Sequence, residues 1–280
     1  MEPGIGFGIG SALSWGAGDF FGGVASRRTS SLAATGGSQL VGLLVLLVVL
    51  GVTAPAMPAA DILFTAAVGG LMGGLGLVAL YRGLALGAMG LVSAIAASGS
   101  IALALLAGAL LGSAAILPIQ LAGVLLVIGG TVAASGATLV GVNRQAVLLA
   151  VAAAFGFAAW YVLLDRVAGG NEIWVLVVNR GSATLLIGGA ALITGRGRAL
   201  ASVWPLVSAA GVADVAANIA FVLARATIPV GLAAALSGTY PLATMLLARG
   251  ILGERLPRLG LLGVGLGVGG VVLISLGAAG

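Results

Sequence analysis

Seven of the 280 residues are acidic, and very few charged groups of either sign fall deep inside apolar runs. Asp214 is the foremost of these. It lies near the middle of an apolar stretch, and Asn218 follows one helical turn later on the same face. A carboxyl there could hold a cationic group or take up a proton; alternatively it pairs with an arginine and only ties helices together. Asp19 follows Trp15 by one turn, so a carboxyl and an indole share a face and could together meet an aromatic or cationic ligand. The plainer alternative sets Asp19 against Arg27 or Arg28 near the end of its helix. Arg180, beside Asn179, could bind an anionic group or pair with Asp165 or Asp214, because a guanidinium stays charged wherever it is buried. A charge at bilayer depth costs at least about 2.5–3.5 kcal/mol, so each of these side chains needs a partner or a use.

Tyr240-Pro241 interrupts another apolar run. Proline releases a backbone carbonyl and bends a helix, which could make a hinge or an exposed acceptor, and a buried tyrosine hydroxyl seeks a polar partner. Ser98 and Ser100 are weaker candidates, since a serine can bond its own helix backbone. Tyr81-Arg82 and Arg225 stand at the ends of apolar runs, where long side chains snorkel to headgroups. Asp165-Arg166, Arg249, Glu254 and Arg255 read as interfacial, with Glu254 capping the next helix or pairing with a neighbouring arginine. Enzymatic alternatives are poorly supplied. The chain has no histidine and no cysteine, so imidazole-dependent and thiol chemistry are excluded, and the scattered acids form no metal-ligating or diphosphate-binding cluster. No metal or cofactor is implied, and no ATPase motif is present.

The elements that must position these groups are membrane spans. Apolar residues make up 61% of the chain and charged residues 7%, against about 25% charged in ordinary soluble domains; mean hydropathy is +1.26. All the basic residues are arginines thinly spread among few acids, so the high isoelectric point does not describe a nucleic-acid-binding surface. A spanning helix takes about 20 apolar residues, and the runs between turn signals predict ten, near 5–25, 32–52, 62–84, 88–111, 116–136, 146–166, 172–194, 203–226, 230–252 and 258–278. The connections are short and polar or rich in proline and glycine, as in Ser26-Arg27-Arg28-Thr29 and Gly195-Arg196-Gly197-Arg198. They leave no room for a soluble domain. The first helix has no charged leader and no cleavage site, so no removable signal peptide is expected.

The ten spans repeat. Gly90, Ala94, Ala102, Leu105, Ala107 and Gly112 recur 141 residues later as Gly231, Ala235, Ala243, Leu246, Ala248 and Gly253. After a one-residue slip, Gly123, Val124 and Gly129-Gly130 recur as Gly263, Val264 and Gly269-Gly270. Residues 1–138 and 139–280 are therefore expected to be two five-helix repeats. Five is odd, so the second repeat enters the membrane inverted, the plan that carriers use to expose a midplane site alternately to either side.

The five-plus-five plan, the Leu252-Gly253-Glu254-Arg255-Leu256 turn, the glycine-rich last helix, Trp15-Gly16 in the first helix and Tyr240-Pro241 in the ninth resemble the EamA type of the drug/metabolite transporter superfamily. The resemblance covers nearly the whole chain. It implies that the first helix of each half lines a central cavity, where Trp15 and Asp19 correspond to Phe157 and Tyr161. The halves also diverge: Ser113 stands for Glu254, Ser100 for Pro241, and Gln39 for Arg180, a position where family members often carry arginine. The first half is thus expected to contribute shape more than chemistry.

The expected molecule is an all-helical integral membrane carrier moving a small organic metabolite or drug-like solute by alternating access, with proton coupling through Asp214 or Asp19 as one option. A passive channel or a structural or sensory membrane protein is the alternative, although no ring of like charges suggests a filter. Its partners would be solute and bilayer, as a monomer or homodimer in a bacterial inner membrane. Glycines four apart, Gly69/Gly73, Gly70/Gly74 and Gly265/Gly269, are expected to let helix backbones approach. Arginine counts place the odd-numbered loops in the cytoplasm by eight to two, whereas the resemblance implies cytoplasmic termini. Both termini share one side in either case.

Overall fold

The computed structural model describes residues 3–111, 116–136, 143–167 and 172–277. Among them every regular element is helical, and the ten expected spans are all present: α1 (Pro3–Arg28), α2 (Ser31–Thr53), α3 (Ala60–Leu86), α4 (Met89–Leu110), α5 (Pro118–Gly136), α6 (Arg144–Asp165), α7 (Glu172–Ile193), α8 (Leu200–Arg225), α9 in two limbs (Val230–Ser237 and Tyr240–Leu252) and α10 (Arg258–Gly277). Seven are long and apolar enough to cross a membrane on that basis alone. α1 has 26 residues, but glycine, serine and Asp19 dilute it; α5 is a shorter apolar helix; α9 is divided. The outward faces are apolar, with Val52, Leu185 and Ile193 almost fully exposed, as a lipid-facing surface requires. The joint between the halves and Ser113 lie outside the described residues.

Helix ends follow local chemistry. Ser30 caps α2 by accepting from the Ala33 amide at 3.2 Å, and Asn143 caps α6 by accepting from Gln145 at 2.9 Å. α9 ends at Gly253, whose φ of +68° is left-handed, a conformation glycine adopts without a Cβ clash. That turn swings Glu254 back toward the first half.

The packing is reciprocal about a pseudo-two-fold axis. α1 packs on α8 as α6 packs on α3, and α1 packs on α9 as α6 packs on α4. α5 and α10, which are repeat mates, pack on each other. A Cβ placed on Gly123 would lie 2.7 Å from the Gly270 carbonyl, and one on Gly130 would lie 2.8 Å from the Gly263 carbonyl. Since Gly123 corresponds to Gly263 and Gly130 to Gly270, each contact is the mirror of the other, as self-complementary interfaces demand.

The tight face of α10 is therefore Gly263, Gly267 and Gly270, not the expected Gly265/Gly269. Gly265 has open space around it and Gly269 meets only a leucine methyl at 4.0 Å. The α3 glycines do face partners: Gly74 backs onto Ala183 and Ile187 of α7, and Gly73 onto Trp160 of α6. Gly270→Leu should push α10 off α5 and lower folded stability by about 1–3 kcal/mol, whereas Gly265→Leu should be silent. Unfolding midpoints in detergent compare the two directly.

Tyr81 is a second departure. It is 2% exposed rather than interfacial, because Gly22 of α1 has no side chain and leaves the space the ring fills. Arg82 beside it is exposed.

Candidate functional site

Where the halves cross, they enclose a chamber of about 110 Å³. The first half supplies Trp15 and Asp19 from α1, Gln39 from α2 and the glycine face of α3; the second supplies the α6 aromatics, Asn179 and Arg180 from α7, Asp214 and Asn218 from α8, and Tyr240 from α9. All six residues singled out for chemistry, Trp15, Asp19, Arg180, Asp214, Asn218 and Tyr240, thus line one space.

Arg180 forms an ion pair with Asp214 through Nη2 and donates from Nη1 to Gln39 Oε1 at 2.9 Å. Of the two partners considered for it, Asp214 is the one it meets. Gln39 occupies the repeat position that Arg180 holds in the second half, so these mates touch each other on the pseudo-axis. In an inverted repeat that axis runs in the membrane plane, which sets the pair at mid-depth. Arg180 is 7% exposed, and the Asp214 side chain, at 27%, is the more open of the two toward the chamber. Asn218 donates to the Asp214 carbonyl at 2.6 Å. One turn beyond Arg180, residues Thr184–Gly188 form a π-helical segment. Its mate α2 is regular. Such insertions commonly mark working parts of helices; here the segment brings the Gly188 backbone against Gly36.

Asp19 is not the counter-charge of Arg27 or Arg28. Its Oδ2 accepts from Ser93 at 2.7 Å, and Ser93 lies 3.5 Å from Thr244, which donates to the Gly16 carbonyl at 3.2 Å. This polar thread joins α1, α4 and α9. No described cation reaches Asp19, which is 8% exposed. The role of the Trp15-Gly16 pair is also visible: Gly16 admits the α9 backbone, with Tyr240 O 2.7 Å from where a Cβ would stand. Trp15 then meets the Tyr240 ring edge-on, centroids 6.0 Å apart.

α9 breaks at Gly238-Thr239, just ahead of Pro241, and the second limb restarts with the Leu242 amide donating to Thr239 at 2.9 Å. Its mate α4 is continuous. There Ser98 and Ser100 bond their own helix carbonyls, Ala94 and Ala97, at 2.6 and 2.8 Å, so the break belongs to the half that carries proline.

A second cavity of about 500 Å³ adjoins the chamber and reaches the ends of α4, α6 and α8 and the start of α7. Trp15, Trp160, Tyr161, Asn218 and Tyr240 line both spaces and form an aromatic neck between them. In this vestibule Arg225 pairs with Glu172 instead of simply snorkelling outward. On the opposite side the halves are bolted together. Glu254 pairs with Arg27 at 2.5 Å and accepts from the Met89 amide at 2.9 Å, while Arg27 also donates to the Leu84 and Gly87 carbonyls. Glu254 therefore caps α4 of the other half, not the helix that follows it, and its arginine is 227 residues away.

Sequence reasoning missed Ser93, Trp160 and the Arg27–Glu254 pair. The contact between Gln39 and Arg180 did carry a readable signal, their 141-residue offset as repeat mates. A model of the EamA-like transporter family matches residues 2–136 and 144–276. No curated protein matches the chain. A solved structure described only as the crystal structure of a protein aligns over 98% of each chain with a TM-score of 0.65 and 17% identity, a likeness of fold.

Proposed function

Because the chain belongs to the EamA-like transporter family, whose members are multi-pass membrane transporters, we propose that it is a secondary carrier moving a small organic solute by alternating access. The observation that carries this reading is the chamber itself. It is lined by both halves, joined to a vestibule on one side through an aromatic neck, and shut from the other side by Arg27 and Glu254. A space open one way and bolted the other is what one state of a rocking carrier presents. Residues Asp19, Arg180, Asp214, Asn218, Trp15 and Tyr240 form the solute site in this proposal. One chain encloses the site, so a monomer suffices, and its home is a bacterial inner membrane. Protons are the coupling ion proposed, taken up at Asp19, the carboxyl in the chamber without a cationic partner.

The test is exchange in proteoliposomes loaded with a broad solute mixture. A carrier gives saturable uptake that is stimulated by the same solute on the far side, and an imposed pH gradient drives it. Flux that neither saturates nor responds to solute on the far side would identify a channel instead. Saturable exchange indifferent to the pH gradient would remove the proton and leave the carrier.

A further inference from the structure

Resting on that carrier reading, we propose that the chamber takes a small organic monocation, an ammonium group on a compact apolar body. The charge sits against Asp19 and the body against the rings of Trp15, Trp160 and Tyr240. Three charged side chains line the chamber: Arg180, Asp214 and Asp19. The first two satisfy each other, and Gln39 takes a further donor of the guanidinium. That leaves one carboxylate. Ser93 donates to its Oδ2, no described residue donates to Oδ1, and Arg27 further along the same helix is committed to Glu254 and two carbonyls. A carboxylate held in a low-dielectric site without a counter-charge is costly, and a ligand cation supplies what the protein does not.

The walls suit the same ligand. Trp15 stands one turn from Asp19 on the same face and is flanked by Tyr240 and Phe221, each with centroids 6.0 Å away. Trp160 and Tyr161 pack edge-on at 4.8 Å on the facing side of the neck. Aromatic faces attract ammonium groups, most strongly when these are alkylated and weakly hydrated. An anionic or zwitterionic solute finds no free guanidinium in this chamber, since binding its carboxylate would require Arg180 to leave Asp214.

Three probes of nearly equal shape decide the matter: choline, its uncharged carbon isostere 3,3-dimethylbutan-1-ol, and the zwitterion glycine betaine. Binding is measured by titration calorimetry on purified protein in nanodiscs at fixed ionic strength. The expected result is saturable choline binding, with the isostere and betaine each weaker by roughly tenfold or more. Asp19→Asn should weaken choline about tenfold and leave the isostere unchanged. Should that variant fail to fold, the three probes on the unaltered protein still decide. Isostere binding as tight as choline, betaine binding tighter than choline, or no saturable choline binding would each overturn the inference. Saturable exchange of another solute in proteoliposomes without choline binding would sink the cation and spare the carrier.

Discussion

Asp214→Leu is expected to destabilise the folded protein by about 3 kcal/mol, Arg180→Met by clearly less, and the double variant by less than Asp214→Leu alone. The order follows from what each change strands. Without Asp214, a guanidinium that cannot lose its charge is left 7% exposed with only Gln39 to accept from it. Without Arg180, the carboxyl left behind reaches the chamber and can neutralise itself by taking a proton. Removing both partners replaces an ion pair with apolar groups of similar size, which is often neutral. Detergent unfolding curves of the three variants measure it. Additive effects of the two single changes would show that Arg180 and Asp214 do not act as a pair. The double variant separates structure from transport: folded protein that no longer exchanges solute would mean the pair serves the site as well as the fold.

Glu254→Gln should unbolt the closed side. The pair with Arg27 is partly exposed, 28% and 19% for the two side chains, so the ionic contact alone is worth at most about 1 kcal/mol. The charge-assisted bond to the Met89 amide adds roughly as much. Together they bias two states by up to about thirtyfold, since each 1.4 kcal/mol is a factor of ten. In the sequence of the first half Ser113 stands where the second has Glu254, and serine carries no charge to pair. The chain has no cysteine, so a single reporter at Leu77→Cys, a half-buried residue of the chamber wall, needs no prior removal of thiols. An impermeant maleimide should label it from the vestibule side only, and from both sides once Glu254 is Gln. Labelling confined to the vestibule side in both proteins would show that the bolt does not hold the gate.

Much of this molecule is legible in one dimension. The ten spans and the in-span charges follow from the cost of placing each segment in lipid, a sum over neighbouring residues that needs no knowledge of packing. The inverted repeat is legible too, because identical residues at a constant offset must occupy matching places. That is why the residues chosen for chemistry converge on one chamber: few polar groups are allowed at depth, and those present face inward.

What only the tertiary structure decided is which side chain meets which. Arg180 chose Asp214 over Asp165, Glu254 crossed to Arg27 and the α4 amide, and Asp19 turned to Ser93 instead of the nearby arginines. Tyr81 lies inside because Gly22 makes room for it, and α10 packs through Gly263, Gly267 and Gly270 because of its rotation about its own axis. Helix rotation and crossing are set by ridges and grooves on elements far apart in the chain, and a rotation of one residue's worth exchanges a lining face for a lipid face. Hydropathy determines that a helix crosses the membrane; the shapes of its neighbours determine what it shows them.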